Sequence, residues 1–298
     1  MTVGRSDDRL GSAPKPKGAG GLVAALLAVA IALMAPIGTP RAAAQTPVYG
    51  LGAMQPSTGH FYVHTMVNYR QFDGDDSTLD RDVRQVSIVT QVAYALLSNV
   101  SVNLDIPVVF NHLSASAQAT GDSAAGFGDI DLSIKWRVWQ HDTGPTDTMR
   151  FALIGGLQMP GGTTTYWDST EEGWNPFFGG VFSIVQGRHG GNASLLWEFD
   201  TAGGGNADGG LQYDLSYLYR LAPAVYGEAT SHAAWYFVAE INGLYETNGN
   251  DQLFLAPGIM YEATWWTLDA GVMIPVYQDL KDRPETEIAF GVGLRLSF

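Results

Sequence analysis

The chain has 298 residues, a net charge of −14, 36 glycines and no cysteine, with 46% hydrophobic and only 15% charged residues. Without cysteine there is no disulfide or thiolate chemistry, and a chain this acidic makes a poor nucleic-acid partner. So much glycine with so little charge also departs from an ordinary soluble domain.

The first 44 residues read as a cleaved secretory signal peptide. Arg5, Arg9, Lys15 and Lys17 precede an apolar run from Leu22 to Pro36, and Ala42, Ala43 and Ala44 precede Gln45. Basic region, short apolar core and small-residue cleavage site come in the order of an export signal. The run is shorter than the ~20 residues of a spanning helix. Cleavage after Ala44 leaves 11 basic against 28 acidic residues. No cysteine follows the run, so a lipoprotein is excluded. Residues 45–58 read as a short periplasmic segment in which no plug domain or energy-coupling box is visible.

From Thr58 onward, segments of ten or more residues alternate apolar and polar side chains, the length and period of a tilted transmembrane strand. His60 to Phe72 sets Phe61, Val63, Val67 and Tyr69 against His60, His64, Asn68 and Arg70. Arg84 to Leu97 sets Val86, Ile88, Val92, Tyr94 and Leu96 against Gln85, Ser87, Gln91 and Ala93. In Asn99 to Phe110, Val100, Val102, Leu104, Ile106 and Val108 oppose Ser101, Asn103 and Asp105. The fourth segment sets Ile130, Leu132, Ile134, Trp136 and Val138 against Asp129, Asp131, Ser133, Lys135 and Arg137. A soluble core would not hide that polar face, whereas water in a lumen wets it.

The pattern continues through Met149 to Met159, Pro176 to Gln186, Asn192 to Asp200, Leu211 to Leu221, Trp235 to Glu246, Gln252 to Glu262 and Trp266 to Tyr277. It closes with Thr286 to Phe298, where Ile288, Phe290, Val292, Leu294, Leu296 and Phe298 share one face and Glu287, Arg295 and Ser297 the other. An aromatic last residue on such a strand resembles the closing strand of bacterial outer-membrane barrels, the end engaged by the assembly machinery. The count is about twelve, and an even number puts both ends on one side.

Tight links at Leu97 to Asn99, Gly187 to Gly191 and Ala263 to Trp265 alternate with longer ones, as periplasmic turns alternate with external loops. The long Ala222 to Ala234 link and the short Thr247 to Asp251 link break that rule. Aromatics gather toward both strand ends, as in two interfacial girdles. The fold expected is all-β, a single transmembrane antiparallel β-barrel of the outer-membrane type over residues 59–298.

Several segments together are similar to one family: SVNLDIPVVF (Ser101 to Phe110), GFGDIDLSIKWRVW (Gly126 to Trp139), LQMPGG (Leu157 to Gly162), WYFVAEINGLYE (Trp235 to Glu246), LAPGIMY (Leu255 to Tyr261) and LDAGVMIPV (Leu268 to Val276). They resemble the outer-membrane barrels of the MetA-pathway-of-phenol-degradation family. That resemblance implies a channel-like protein taking up aromatic or other small apolar compounds.

Chemical constellations are thin. His60 and His64 share the lumen face but sit ~13 Å apart at strand rise, too far for one ion. His112, His141, His189 and His232 are placed in connections, no outward histidine is expected opposite an outward serine, and GxSxG is absent. No catalytic residue, cofactor or metal ligand is therefore assigned, and an outer-membrane lipid hydrolase is disfavoured. Residues 73–82 and 203–210 gather carboxylates and carbonyls without EF-hand spacing, and read as solvated loops or as cation-bridged contacts to lipopolysaccharide.

The lumen-lining candidates are Asp105, Asp129, Asp131, Glu198, Asp214, Glu240, Asp269 and Glu287 against Lys135, Arg137, Arg220 and Arg295. They stiffen a narrow barrel, conduct solute, or do both. An excess of carboxylates favours cations and weakly basic or neutral solutes. The function expected is a passive outer-membrane channel for small solutes, the alternative a non-conducting structural or adhesion barrel.

Overall fold

The computed structural model describes residues 45–73, 82–114, 122–144, 146–161, 173–201, 209–225, 233–281 and 284–298. Thirteen strands form one antiparallel sheet: β1 (Phe61–Asp73), β2 (Val83–Leu97), β3 (Val100–Leu113), β4 (Asp122–Phe127), β5 (Ile130–Asp142), β6 (Thr148–Met159), β7 (Asn175–Gln186), β8 (His189–Phe199), β9 (Gly209–Ala222), β10 (Ala233–Glu246), β11 (Asp251–Ala263), β12 (Trp266–Asp279) and β13 (Glu285–Ser297). β4 and β5 both pair with β3, one above the other, so they share a single position and the barrel has twelve. Among the described residues there is no helix.

The sheet closes on itself. β13 pairs with β1 from Tyr62↔Ser297 to Asp73↔Glu285 on one side and with β12 on the other. At the seam Phe298 N donates to Phe61 O at 2.9 Å and Phe61 N to Phe298 O at 3.2 Å, and the two rings stack 4.7 Å apart. Among the described residues every strand except β4, which pairs with β3 alone, has a neighbour on both sides, so the closing strand offers lipid no open edge.

Alternation is realised as two faces. On β13, Ala289, Gly291, Gly293 and Arg295 are buried while Phe290, Val292 and Leu294 are 42–49% exposed. Leu132, Ile134, Trp136, Leu153, Leu195, Leu215 and Leu268 likewise stand outside, an apolar band suited to acyl chains. Leu296 has the outward parity but is 5% exposed, flanked in register by Val63 and Trp266.

Several expectations need correction. The connection expected from Asn111 to Phe127 is largely strand, since β3 runs to Leu113 and β4 occupies 122–127. The break falls at Gly128 and Asp129, opposite Pro107, which has no N–H for the ladder; Gly128 N donates instead to Pro107 O. Phe72, an aromatic near the loop-side end of β1, is buried with Val83 and Leu113 instead of standing in a girdle, because it shares the inward parity of His64, Met66 and Asn68. His112 and His141 lie on strands, and His189 opens β8. Residues 226–232 of the long turn-side link, His232 and the signal peptide lie outside the described residues. So does most of the two acidic loops.

The largest correction concerns residues 45–56. Instead of trailing into the periplasm, they lie inside the barrel. Val48 joins a buried cluster with Met66, Leu218, Tyr236, Val238 and Met260; Ala53 joins another with Ala152, Ile154 and Val181.

Candidate functional site

The inserted segment is a re-entrant loop. Gln55 Nε2 donates to Ser101 Oγ and Lys135 O, at 3.2 and 2.8 Å, near the start of β3. Ala53 N donates to Ser183 Oγ at 2.8 Å, and Arg150, two residues into β6, reaches Met54 Sδ at 2.9 Å. The loop then climbs to Glu240, the eighth residue of β10, and descends to Thr46, which accepts from Arg295, two residues from the end of β13. Gln45 packs over Gly190 at the start of β8. Both limbs therefore sit at the turn side and the apex near mid-height.

The apex is held by one carboxylate. Glu240 accepts from the successive amides of Val48 (2.5 Å), Tyr49 (3.2 Å) and Gly50 (2.8 Å) and is 1% exposed. Successive N–H groups converging on one anion form a nest, and charge-assisted bonds of this kind are stronger than neutral ones. Lys135 Nζ adds a bond to Gly52 O at 2.8 Å. Tyr49 donates its hydroxyl to Gly271 O at 2.6 Å, over a glycine where a Cβ would come within 2.7 Å of the ring. Burial, with the Glu240 charge adding to it, holds the Tyr49 phenol above its ordinary pKa. The loop thus touches β3, β5, β6, β7, β8, β10, β12 and β13, and so spans the bore.

The remaining candidates divide by height. Near the turn side, Arg220 Nε donates to Pro223 O at 3.1 Å, Arg137 reaches Ser98 O, and Arg295 also lies 5.6 Å from the Tyr62 ring. His64 Nε2 sits 3.2 Å from Asp269 Oδ2, while His60 Nδ1 lies 2.8 Å from Phe298 O; the two histidines do separate jobs. Toward the loop side, Asp214 accepts from Ser194, Asn242 and Gln212 at 2.9, 2.9 and 3.1 Å. Asp129 accepts from Gly161 N at 3.0 Å, and exposed Glu287 from Gln71 at 2.6 Å. Half-buried Asp105 and Asp131 are direct cross-strand partners, and Glu198 stands next to the loop-side end of β8. The basic candidates thus cluster by the turns together with Asp269, while the other carboxylates run from mid-height, at Glu240, Asp214 and the pair of Asp105 and Asp131, to Glu198 near the loop-side end.

Two lumen groups were not singled out from the sequence. Arg150 and Glu262 both have inward parity on expected strands, and that parity was the signal that would have found them. Outside the barrel, His112 Nδ1 lies 2.9 Å from Ser123 Oγ across β3 and β4, a histidine–serine pair not expected from the sequence. It is an incomplete hydrolytic constellation, because among the described residues no carboxylate or amide orients the other ring nitrogen of His112. No group of three or more metal-ligating side chains occurs among the described residues.

No family model matches the chain, and no curated protein matches it. The solved structures do. The COG4313 outer-membrane channel from Pseudomonas putida F1 superposes with a TM-score of 0.55 at 10% identity, covering 81% of this chain and 96% of that one. The fold is that of an outer-membrane β-barrel. Looser likenesses are the β domain of the Bordetella autotransporter BrkA (TM-score 0.46, 11% identity, 81% and 100% covered) and the CymD monoaromatic hydrocarbon channel (0.40, 11%, 81% and 89%).

Proposed function

We propose that the protein is an outer-membrane channel for passive passage of small solutes, favouring cations and neutral or weakly basic compounds. The observation that carries this reading is the polar inner wall of a closed barrel, with Asp105, Asp129, Asp131 and Asp214 along its middle and Glu198 near the loop-side end. A narrow low-dielectric bore lined by one sign of charge concentrates the opposite ion and excludes the same one. Aromatic or apolar solutes rest on the resemblance to the MetA-pathway family, and the superposed COG4313 channel is in keeping with a channel role.

Export through a leader ending at Ala44, insertion by assembly machinery engaging the strand that ends at Phe298, and lipopolysaccharide contact belong to the same reading. A non-conducting structural barrel is the second reading, favoured by the loop across the bore and by the fixed partners of Glu240, Lys135 and Arg295.

Conductance in planar bilayers, with reversal potentials under a salt gradient, separates the two, and liposome swelling with sugars, amino acids and aromatic acids names the solute class. Cation-selective steps support the channel. Silence, or anion selectivity, defeats it as stated.

A further inference from the structure

We infer that residues 45–56 are a gate that swings out of the bore on a hinge at residues 57–59 and that Glu240 is its latch. This rests on the channel reading and adds to it the element that opens and closes the path.

Three observations carry it. First, the loop belongs to no strand ladder; its polar attachments are separate hydrogen bonds, Ala53 N to Ser183 Oγ, Tyr49 to Gly271 O and Gln55 to Ser101 and Lys135 O from the loop, and Lys135 to Gly52 O and Arg295 to Thr46 from the wall. Such contacts release one by one, unlike the continuous pairing of the barrel wall. Second, the segment joining it to β1 is exposed at Ser57, Thr58 and Gly59; Gly59 has φ +77° with open space around its Cα, and among the described residues only one backbone bond, Gly59 N to Ala95 O at 2.9 Å, ties the segment to the wall beside it. Third, three of the attachments converge on a single side chain, so the apex depends on Glu240 as on no other residue.

When the loop leaves, it uncovers two apolar patches, around Met66, Leu218 and Val238 and around Ala152, Ile154 and Val181, whose burial favours the closed state, while the polar atoms it uncovers are wettable. The Ser183 hydroxyl, the Lys135 ammonium, the Arg295 guanidinium and the Glu240 carboxylate all find water, so the open bore does not strand their polar atoms. Released Glu240 then adds a carboxylate to those of Asp214, Asp105 and Asp131 along the middle of the bore.

The chain has no cysteine, so a disulfide can lock the loop without competition. A Cβ on Gly50 would lie 3.2 Å from Asp214 Cβ, just under the ~3.5–4.5 Å of a disulfide and within a small backbone adjustment of it. In planar bilayers the Gly50→Cys/Asp214→Cys protein should be silent after oxidation with diamide and conduct after dithiothreitol, on the same molecules. Glu240→Ala, without any lock, should lengthen open time on the order of tenfold, the shift expected on losing one or more charge-assisted hydrogen bonds. Folding of each variant is checked by heat-dependent gel mobility. Equal conductance in oxidised and reduced locks overturns the gate while leaving the channel standing. Failure of wild type, Glu240→Ala and the reduced lock all to conduct overturns both.

Discussion

Replacing Val292 by Arg tests the barrel's register and its depth in the bilayer at once. β13 runs from Glu285 to Ser297, so Gly291 is its middle residue, and Val292 and Leu294 are the outward side chains one and three residues toward the turn side. A strand rising ~3.4 Å per residue and tilted ~40° climbs ~2.6 Å per residue through an apolar band ~25 Å tall. Val292 therefore lies ~3 Å from the midplane and Leu294 ~8 Å, about two-thirds of the way to the interface. Val292→Arg should cost ~2–4 kcal/mol and Leu294→Arg about half of that. Guanidinium unfolding of barrels refolded into liposomes, followed by tryptophan emission, reads both. A Leu294→Arg cost equal to or above that of Val292→Arg would refute the depth assignment; near-zero costs at both would mean that this face is not in lipid.

Removing Phe298 takes away the two seam hydrogen bonds and the stack on Phe61, so assembly into liposomes should slow and stability fall by ~1–3 kcal/mol, measured by gel mobility shift and unfolding. Gly179→Ala should destabilise by ~1–3 kcal/mol in the same unfolding assay, because its Cβ would lie 2.0 Å from Leu195 O and the backbone must shift. Asp129→Asn with Asp131→Asn should lower cation preference in reversal-potential measurements, and the wild-type preference itself should weaken as salt rises and the screening length falls from ~10 Å at 0.1 M to ~3 Å at 1 M. The Tyr49 phenol donates only when protonated and its pKa is raised in place, so loop docking should be intact below the ordinary tyrosine value of ~10 and weaken as pH climbs above it, read as longer openings that Tyr49→Phe makes independent of pH.

The wall was legible because a side chain's face on a strand is decided two residues at a time. Asp131, Ser133, Lys135 and Arg137 could be set on one face and Ile134 and Trp136 on the other before any coordinate was known, and the antiparallel order follows from short and long links. What failed was non-local. Glu287 keeps its inward period on paper; only pairing with β1 introduces the shift, between Ile288 and Thr286, that leaves it exposed. Residues 122–127 lack strong alternation, and they become strand because β3 offers a ladder up to Leu113. The segment at 45–56 carries no period and so reads as a periplasmic stretch; its meaning lies in Glu240, Gly271 and Ser183, far along the chain. Likewise the sequence places Lys135 inward, but cannot say that its partner is the Gly52 carbonyl.

The distance of those partners along the chain bears on the order of assembly. Val48 and Glu240 are 192 residues apart and Thr46 and Arg295 are 249 apart. Contacts closing spans this long are made slowly unless other pairings have already brought their ends together. The hairpins from β1 to β13 do that bringing together, so the first residues of the barrel chain to be exported are the last to find their place. Until the seam at Phe61 and Phe298 has formed there is no complete wall for the loop to enter, and the Glu240 carboxylate waits in a wet, unfinished cylinder. Maturation thus has two distinguishable steps, wall closure and loop docking, and pulse-labelling of backbone amides during refolding should protect the strands before it protects Val48, Tyr49 and Gly50.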